Sequence, residues 1–253
     1  GLFHWDAGNG RLARLTDADT VDIDAAAGPP VVLGDQVLVA VQHRGAVELR
    51  SVPTTADNTP LAELRSIIGG QISVREFTVV DGSVAAVVAD ASTPGDLVLT
   101  ELQCAAVAGI TDYGAAVRAV GLARQEELTA TASDGYPVHG FLMLPPTGDG
   151  PFPVLLDIHG GPHAAYTWGW FDEAQMYANA GYAVVLPNPR GSSGYGQAHG
   201  RAVRGAMGVV DVDDVLSLLD AALARNDTDS ARVGVMGGSY GGLMTTLLAG
   251  KHG

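Results

Sequence analysis

The sequence has 253 residues, of which 47% are hydrophobic, and its formal net charge is −14. A chain of this length forms one large domain or two modest ones, and its apolar content is sufficient for a core. The negative charge excludes the basic surface that nucleic-acid binding requires, so no nucleic-acid partner is expected. No apolar run approaches the roughly eighteen residues of a membrane span, so no membrane partner is expected either.

The ends of the sequence and its single cysteine indicate its context. The sequence opens at Gly1 in a strand-like stretch without a signal peptide and stops at Gly253 in a helix-like stretch, which predicts a fragment of a longer protein. Cys104 cannot form an internal disulfide, which favours a reducing, cytoplasmic compartment. We interpret it as a small apolar filler rather than a catalytic thiol, because no activating group surrounds it in the sequence.

Residues 1–125 are predicted to be all-β. Residues 45–52 align with residues 95–102, each after an apolar strand, and residues 1–6 fit the same position one step earlier. The spacings of 44 and 50 residues suit propeller blades of about four strands. We predict the C-terminal blades of a partial β-propeller here, with a plain β-sandwich as the alternative.

Residues 126–253 alternate strand-like and helix-like stretches. The predicted elements are a hairpin (127–132 and 138–144), three buried strands (154–158, 182–186 and 232–236) and two helices (172–180 and 212–225). Leu216, Leu219 and Leu223 mark one face of the second helix. Alternation of this kind predicts a mostly parallel sheet with flanking helices.

A nucleophile elbow follows the third buried strand. Gly237, Gly238, Ser239, Tyr240 and Gly241 form a G-x-S-x-G motif, and an apolar helix-like stretch comes after it. In such an elbow a strand turns sharply into a helix, and small neighbours are needed because the turn is crowded. The motif predicts that Ser239 is the catalytic nucleophile of an α/β-hydrolase domain. The sequence is expected to contain only the N-terminal part of that domain, truncated after the elbow helix.

Two backbone N–H groups are expected to form an oxyanion hole. The N–H of Tyr240 opens the elbow helix, whose free amides and dipole favour negative charge. A second donor is expected from the loop at residues 159–163, which follows the first buried strand. His159 and His163 lie in that loop, but this fold supplies its catalytic His after the nucleophile, so packing or hydrogen-bonding roles are favoured for them.

Three further groups of residues admit two interpretations each. Arg190, in a Gly-rich loop without the phosphate-binding pattern, is predicted to pair with Asp213 or Asp214, with a direct substrate role as the alternative. Asp211, Asp213 and Asp214 suggest either a metal site or, preferably, a helix N-terminus. The aromatic residues between the oxyanion loop and the first helix line a pocket or pack together: Tyr166, Trp168, Trp170 and Phe171.

Together the motifs resemble the prolyl oligopeptidase family of serine peptidases, in its acylaminoacyl-peptidase and dipeptidyl-peptidase-like branch. They are His-Gly-Gly-Pro at 159–162, Asn-Pro-Arg-Gly-Ser-Ser-Gly-Tyr-Gly at 188–196, and Gly-Gly-Ser-Tyr-Gly-Gly at 237–242. The resemblance implies a β-propeller before an α/β-hydrolase domain, with Ser239 as the nucleophile and the N–H groups of Gly161 and Tyr240 as oxyanion donors. It also implies that the catalytic acid and His follow Gly253.

The sequence is therefore interpreted as a fragment of a serine peptidase that acts on peptide or small acyl substrates without a cofactor or metal. The fragment alone is expected to be inactive, since the acid and the His are missing from it. Two alternatives stay open. One is a carboxylesterase or lipase on the same fold, and the other is a catalytically dead propeller-hydrolase binding protein.

Overall fold

The computed structural model describes residues 1–103 and 106–252, so Cys104 and its interpretation lie outside the described residues. The chain forms two compact units, which we call the first and the second unit. The first unit comprises Gly1–Ala116, Thr167–Trp170 and Gly194–Ala198, and the second comprises Val117–Tyr166, Phe171–Ser193 and His199–Gly253. Among the helices that the structure describes, none has the length and apolar character that crossing a membrane requires.

Short strands dominate the first part of the chain. In order, the elements are β1 (Phe3–Asp6), β2 (Arg11–Arg14), β3 (Asp22–Ile23), β4 (Val31–Leu33), β5 (Gln36–His43), β6 (Ala46–Pro53), a 3-10 turn (Leu61–Glu63), β7 (Arg65–Ile68), β8 (Ser73–Val80), β9 (Ser83–Asp90), β10 (Thr93–Glu101), β11 (Ala108–Gly109) and the short helix α1 (Ala115–Arg118). The strands expected around residues 36–52 and 83–102 are thus confirmed.

Antiparallel pairing divides the nine-stranded sheet of β3–β11 into a group of five strands and a group of four. β4, β5, β6 and β7 pair in succession, with β3 also on β5, and β8, β9, β10 and β11 pair in succession. The two groups are joined by one parallel pairing, between Val47 and Ser73. β1 and β2 form a separate two-stranded sheet. Buried and partly buried positions nearly alternate along β6 and β9, because successive side chains of a strand point to opposite faces.

Strands and helices alternate in the second part of the chain. The elements are β12 (Arg124–Thr131), β13 (Pro137–Leu144), β14 (Phe152–Ile158), α2 (Asp172–Asn179), β15 (Ala183–Asn188), α3 (Gln197–Arg201), α4 (Val210–Leu223), β16 (Thr228–Gly237) and α5 (Tyr240–His252). The predicted hairpin, both helices and the first two buried strands are confirmed, each with bounds a few residues from those expected. The third strand is present as β16, but its burial was predicted wrongly: residues 230–234 are exposed, because β16 pairs only with β14 in the described sheet.

The sheet of the second unit has the order β12-β13-β15-β14-β16. β14 is parallel to β15 and to β16, whereas β12 with β13 and β13 with β15 are antiparallel. The sheet is therefore mixed, which corrects the expectation of a mostly parallel one. The reason is that the entry hairpin joins the sheet through β13, which pairs alongside β15.

Helix α4 covers this sheet with a different face from the one predicted. Val215, Leu218 and Ala222 are fully buried in the core, with β14 and β15 contributing neighbours such as Leu156 and Val185. The predicted face of Leu216, Leu219 and Leu223 packs against the same core but is only partly buried. Apolar residues of α4 occupy more than one side of the helix, so the 3.6-residue period does not by itself identify the most buried face.

A buried arginine joins the hairpin turn, the loop after β15 and helix α4. Arg190 is 6% exposed, and its guanidinium donates to both carboxylate oxygens of Asp214 at 2.7–3.1 Å and to Asp134 at 2.5 Å. It also lies 4.6 Å from the ring centre of Tyr136. The predicted pairing with Asp214 is confirmed, while Asp213 instead accepts hydrogen bonds from the backbone N–H and hydroxyl of Ser133.

We expect Arg190→Met to lower the free energy of unfolding by about 3–5 kcal/mol, because it leaves the fully buried carboxylate of Asp214 without its partner. Urea unfolding measures this. The control is Arg232→Met, which breaks an ion pair with Asp229 in which the Arg side chain is 58% exposed, and it should cost less than about 1 kcal/mol. Equal losses in the two variants would contradict the importance given to Arg190.

Candidate active site

The candidate nucleophile lies on a strained turn between a strand and a helix. β16 ends at Gly237, α5 begins at Tyr240, and Ser239 between them is exposed with φ of +55°. A residue with a side chain rarely adopts positive φ, and such strain is concentrated at functional sites. The strand–turn–helix context predicted for the motif is therefore present, with the serine projecting away from the strand.

The glycines of the elbow are required by the end of β14. A Cβ on Gly241 would lie 1.8 Å from the carbonyl oxygen of Ile158, and one on Gly237 would lie 2.6 Å from the same oxygen. Neither position has room for a methyl group, because the displaced atom would be backbone. The elbow thus passes directly against the C-terminal end of β14, at a distance that only glycine allows.

The loop after β14 begins beside the nucleophile. A Cβ built on Gly160 would lie 3.4 Å from the Cβ and 3.8 Å from the Oγ of Ser239, so this glycine leaves the hydroxyl accessible. Gly161 is exposed and has φ of +123°, a conformation that favours glycine. The roles of the Gly161 and Tyr240 N–H groups as oxyanion donors remain predictions.

The two histidines of this loop are engaged in hydrogen bonds to neighbouring loops. His159 Nδ1 donates to the carbonyl of Gly160 at 2.7 Å and its Nε2 lies 3.0 Å from Ser192 Oγ, while His163 Nδ1 donates to the carbonyl of Gly191 at 2.7 Å. Burial lowers the pKa of His159, against the effect of the Gly160 carbonyl. The hydrogen-bonding interpretation of both residues is confirmed. Within residues 1–103 and 106–252, the hydroxyl of Ser239 has no hydrogen bond to either.

Tyr166 closes the same loop through four different contacts. The side-chain amide of Asn188 accepts from the Tyr166 backbone N–H at 2.8 Å and donates to its carbonyl at 2.9 Å. The Tyr166 ring meets that of His159 edge-on, with ring centres 5.3 Å apart. Tyr166 also packs on Phe171, so for these two aromatics the packing interpretation is the observed one.

Asp157 is a buried carboxyl two residues before His159. Asp157 lies near the end of β14 and is only 4% exposed. Burial, followed by the negative charge of Glu173, raises the pKa of Asp157 to about 6, while the hydrogen bond from Tyr166 acts in the opposite direction. The carboxyl therefore titrates closer to neutral pH than an exposed aspartate does.

The three acidic residues near the start of α4 have separate partners. Asp211 accepts from the phenol of Tyr240, Asp213 from Ser133, and Asp214 from Arg190. They follow the helix start at Val210, as predicted. In the described part of the chain no group of three or more His, Cys, Asp or Glu side chains is arranged to hold a metal ion.

Two contacts at the site were missed by the sequence analysis. Asn188 appeared there only as part of a motif, and the pairing of Asp211 with Tyr240 joins residues 29 positions apart. Motif patterns record residue types along the chain, but both contacts depend on how the loops at the ends of different strands meet. Asn188 and Tyr240 each lie inside a sequence motif, but no local pattern identifies the partner that each of them binds.

Known proteins now provide a second line of evidence. The model of the prolyl oligopeptidase family matches residues 168–253. The uncharacterized peptidase YuxL of Bacillus subtilis (strain 168) is 48% identical over 129 residues, which are 50% of this chain and 20% of that protein. Residues 168–253 of the chain are thus similar to the prolyl oligopeptidase family.

Further relatives match the chain to different extents. The acylamino-acid-releasing enzyme of Sus scrofa is 37% identical over 100 residues, which are 40% of this chain and 14% of that enzyme. A solved acylaminoacyl peptidase in complex with Z-Gly-Gly-Phe-chloromethyl ketone superposes with a TM-score of 0.82 at 24% identity, over 96% of this chain and 37% of that one. The chain thus shares the fold of that structure and spans well under half the length of each relative.

We expect Gly241→Ala to destabilise the protein by more than about 2 kcal/mol, because its Cβ would overlap the carbonyl oxygen of Ile158. Gly250→Ala is the matched control: it lies in the same helix, and its Cβ would have no neighbour within 4 Å. This control should be neutral or stabilising, since alanine is the better helix former by roughly 1 kcal/mol. Thermal and urea unfolding of the two variants measure the difference, and similar effects would contradict the proposed crowding.

Proposed function

We propose that this chain is part of a serine peptidase that hydrolyses short peptides of the acylaminoacyl or dipeptidyl type through an acyl-enzyme on Ser239. The observation that carries the proposal is the exposed Ser239 on a strained elbow, beside a loop in which a Cβ built on Gly160 would lie 3.4 Å from the Ser239 Cβ. The names of relatives support the substrate class, since they include acylamino-acid-releasing enzymes and a dipeptidyl aminopeptidase.

In the proposed reaction the Ser239 hydroxyl attacks the substrate carbonyl and passes its proton to a histidine, which an acidic residue orients. The N–H groups of Tyr240 and Gly161 stabilise the oxyanion that forms, and loss of one such donor typically costs about 2.7–4 kcal/mol. Water then hydrolyses the acyl-enzyme. We propose that the histidine and the acid belong to parts of the protein outside residues 1–253.

We also propose that the second unit is the N-terminal part of an α/β-hydrolase domain and that the first unit holds the C-terminal blades of a β-propeller. The four antiparallel strands β8–β11 and the five strands β3–β7 support the blades, since a blade is a sheet of about four antiparallel strands. A cytoplasmic location is proposed from the single cysteine of the sequence.

Replacing Ser239 by Ala in the full-length protein should lower kcat by about 10⁶, the scale observed when a triad nucleophile is removed. Assays on acylated peptides, dipeptidyl substrates and aryl esters would measure this and distinguish a peptidase from an esterase. Ser217→Ala, on helix α4, is the control and should change kcat by less than about threefold, because its hydroxyl only bonds the carbonyl of Asp213. A loss of less than tenfold in Ser239→Ala would show that this serine is structural.

Residues 1–253 expressed alone should show no Ser239-dependent hydrolysis. Ser is a weak nucleophile at its free pKa, and the described residues provide its hydroxyl with no hydrogen-bonded base. Strand β16 also pairs on one side only within the described sheet, so an aggregation-prone product is expected. Activity assays beside the full-length protein and light scattering measure both. Turnover that disappears in Ser239→Ala of the short form would contradict the proposal and make His159 and His163 the first bases to test.

A further inference from the structure

We infer that Asp211 is a positioning residue for the reaction at Ser239, acting through the phenol of Tyr240 on the backbone N–H next to the nucleophile. This inference rests on the proposed function. Tyr240 is the first residue of α5, so its main chain belongs to the elbow while its side chain reaches helix α4. One residue therefore connects the candidate oxyanion donor to an element far away in the sequence.

Both ends of this connection are fixed by contacts. Asp211 is 0% exposed, and its Oδ2 accepts the hydrogen bond from Tyr240 while its Oδ1 accepts one from the Val212 N–H at 3.1 Å. The carboxylate that accepts from the phenol is thus itself held by the first turn of α4.

The chemistry of the pair keeps the connection intact. A buried carboxylate is costly unless its oxygens are hydrogen-bonded, so Asp211 depends on the Tyr240 hydroxyl as a donor. Burial, and then the bond to Asp211, raise the pKa of Tyr240, so the phenol stays protonated and continues to donate at neutral pH.

The consequence for catalysis follows from the geometry that an oxyanion hole needs. Its donors must lie about 2.7–3.1 Å from the position of the developing oxyanion, and small misplacements reduce the rate strongly. Ser239, next to Tyr240, is held at positive φ, a conformation that a residue with a side chain rarely adopts. The hydrogen bond from the Tyr240 side chain to Asp211 helps to fix the residue whose N–H is needed.

The test uses Tyr240→Phe in the full-length protein, because it removes only the hydroxyl and keeps the ring. We expect kcat to fall about tenfold with KM changed less than twofold. Affinity for a peptide aldehyde, which forms an oxyanion with the serine, should fall in parallel, whereas affinity for the corresponding peptide alcohol should not change. Tyr177→Phe is the control, since it removes a comparable bond to Glu173 on the exposed side of α2, and it should leave all four quantities unchanged.

Asp211 is tested by a cycle with the same variant. Asp211→Asn keeps an acceptor oxygen and should lower kcat less than Asp211→Ala, and combining Asp211→Ala with Tyr240→Phe should be no worse than the more affected single variant. If Ser239→Ala is inactive but Tyr240→Phe keeps kcat and aldehyde affinity within twofold, the inference is wrong and the proposed function stands. If Ser239→Ala remains active, the proposed function fails and the inference fails with it.

Discussion

The carbonyl oxygen of Ile158, at the end of β14, constrains the path of the backbone through the nucleophile elbow. The parallel pairing of β14 with β16 ends at Ile158 opposite Gly237, so the elbow must turn directly over this oxygen. The turn fits because Gly237 and Gly241 have no side chains there. The same alignment of strand ends brings Gly160 beside Ser239, so sheet register and site geometry follow from one close approach between backbones.

Buried polar side chains from other loops hold the segments around this turn. Arg190 joins two carboxylates, Asn188 pairs with both backbone groups of Tyr166, and Asp211 binds the phenol of Tyr240. Loops at the ends of strands lack the regular hydrogen bonds of a sheet or helix, so side chains must satisfy their backbone groups. These contacts connect residues whose spacing along the chain is irregular.

The sequence predicted those features whose signals are local. The elbow at Ser239, the entry hairpin and the apolar strands each have a short sequence pattern. The carboxylate partner of Arg190 was predicted to be Asp213 or Asp214, which lie at the start of the next helix. Strand order was not predictable in this way, since β13 lies beside β15 through non-local pairing. The partner of Tyr240 was missed for the same reason, and the buried face of α4 because apolar residues occupy more than one side of that helix.

The buried carboxyl of Asp157 couples folding to the proton concentration. Its pKa of about 6 in the folded state is higher than the ordinary value of about 3.9 expected when the chain is unfolded. Between these values the folded chain retains a proton that the unfolded chain has released, so folding takes up protons from the buffer. The stability that Asp157 contributes is complete below about pH 4 and is lost as the pH rises through about 6. In this window the measured folding enthalpy therefore includes the ionisation heat of the buffer.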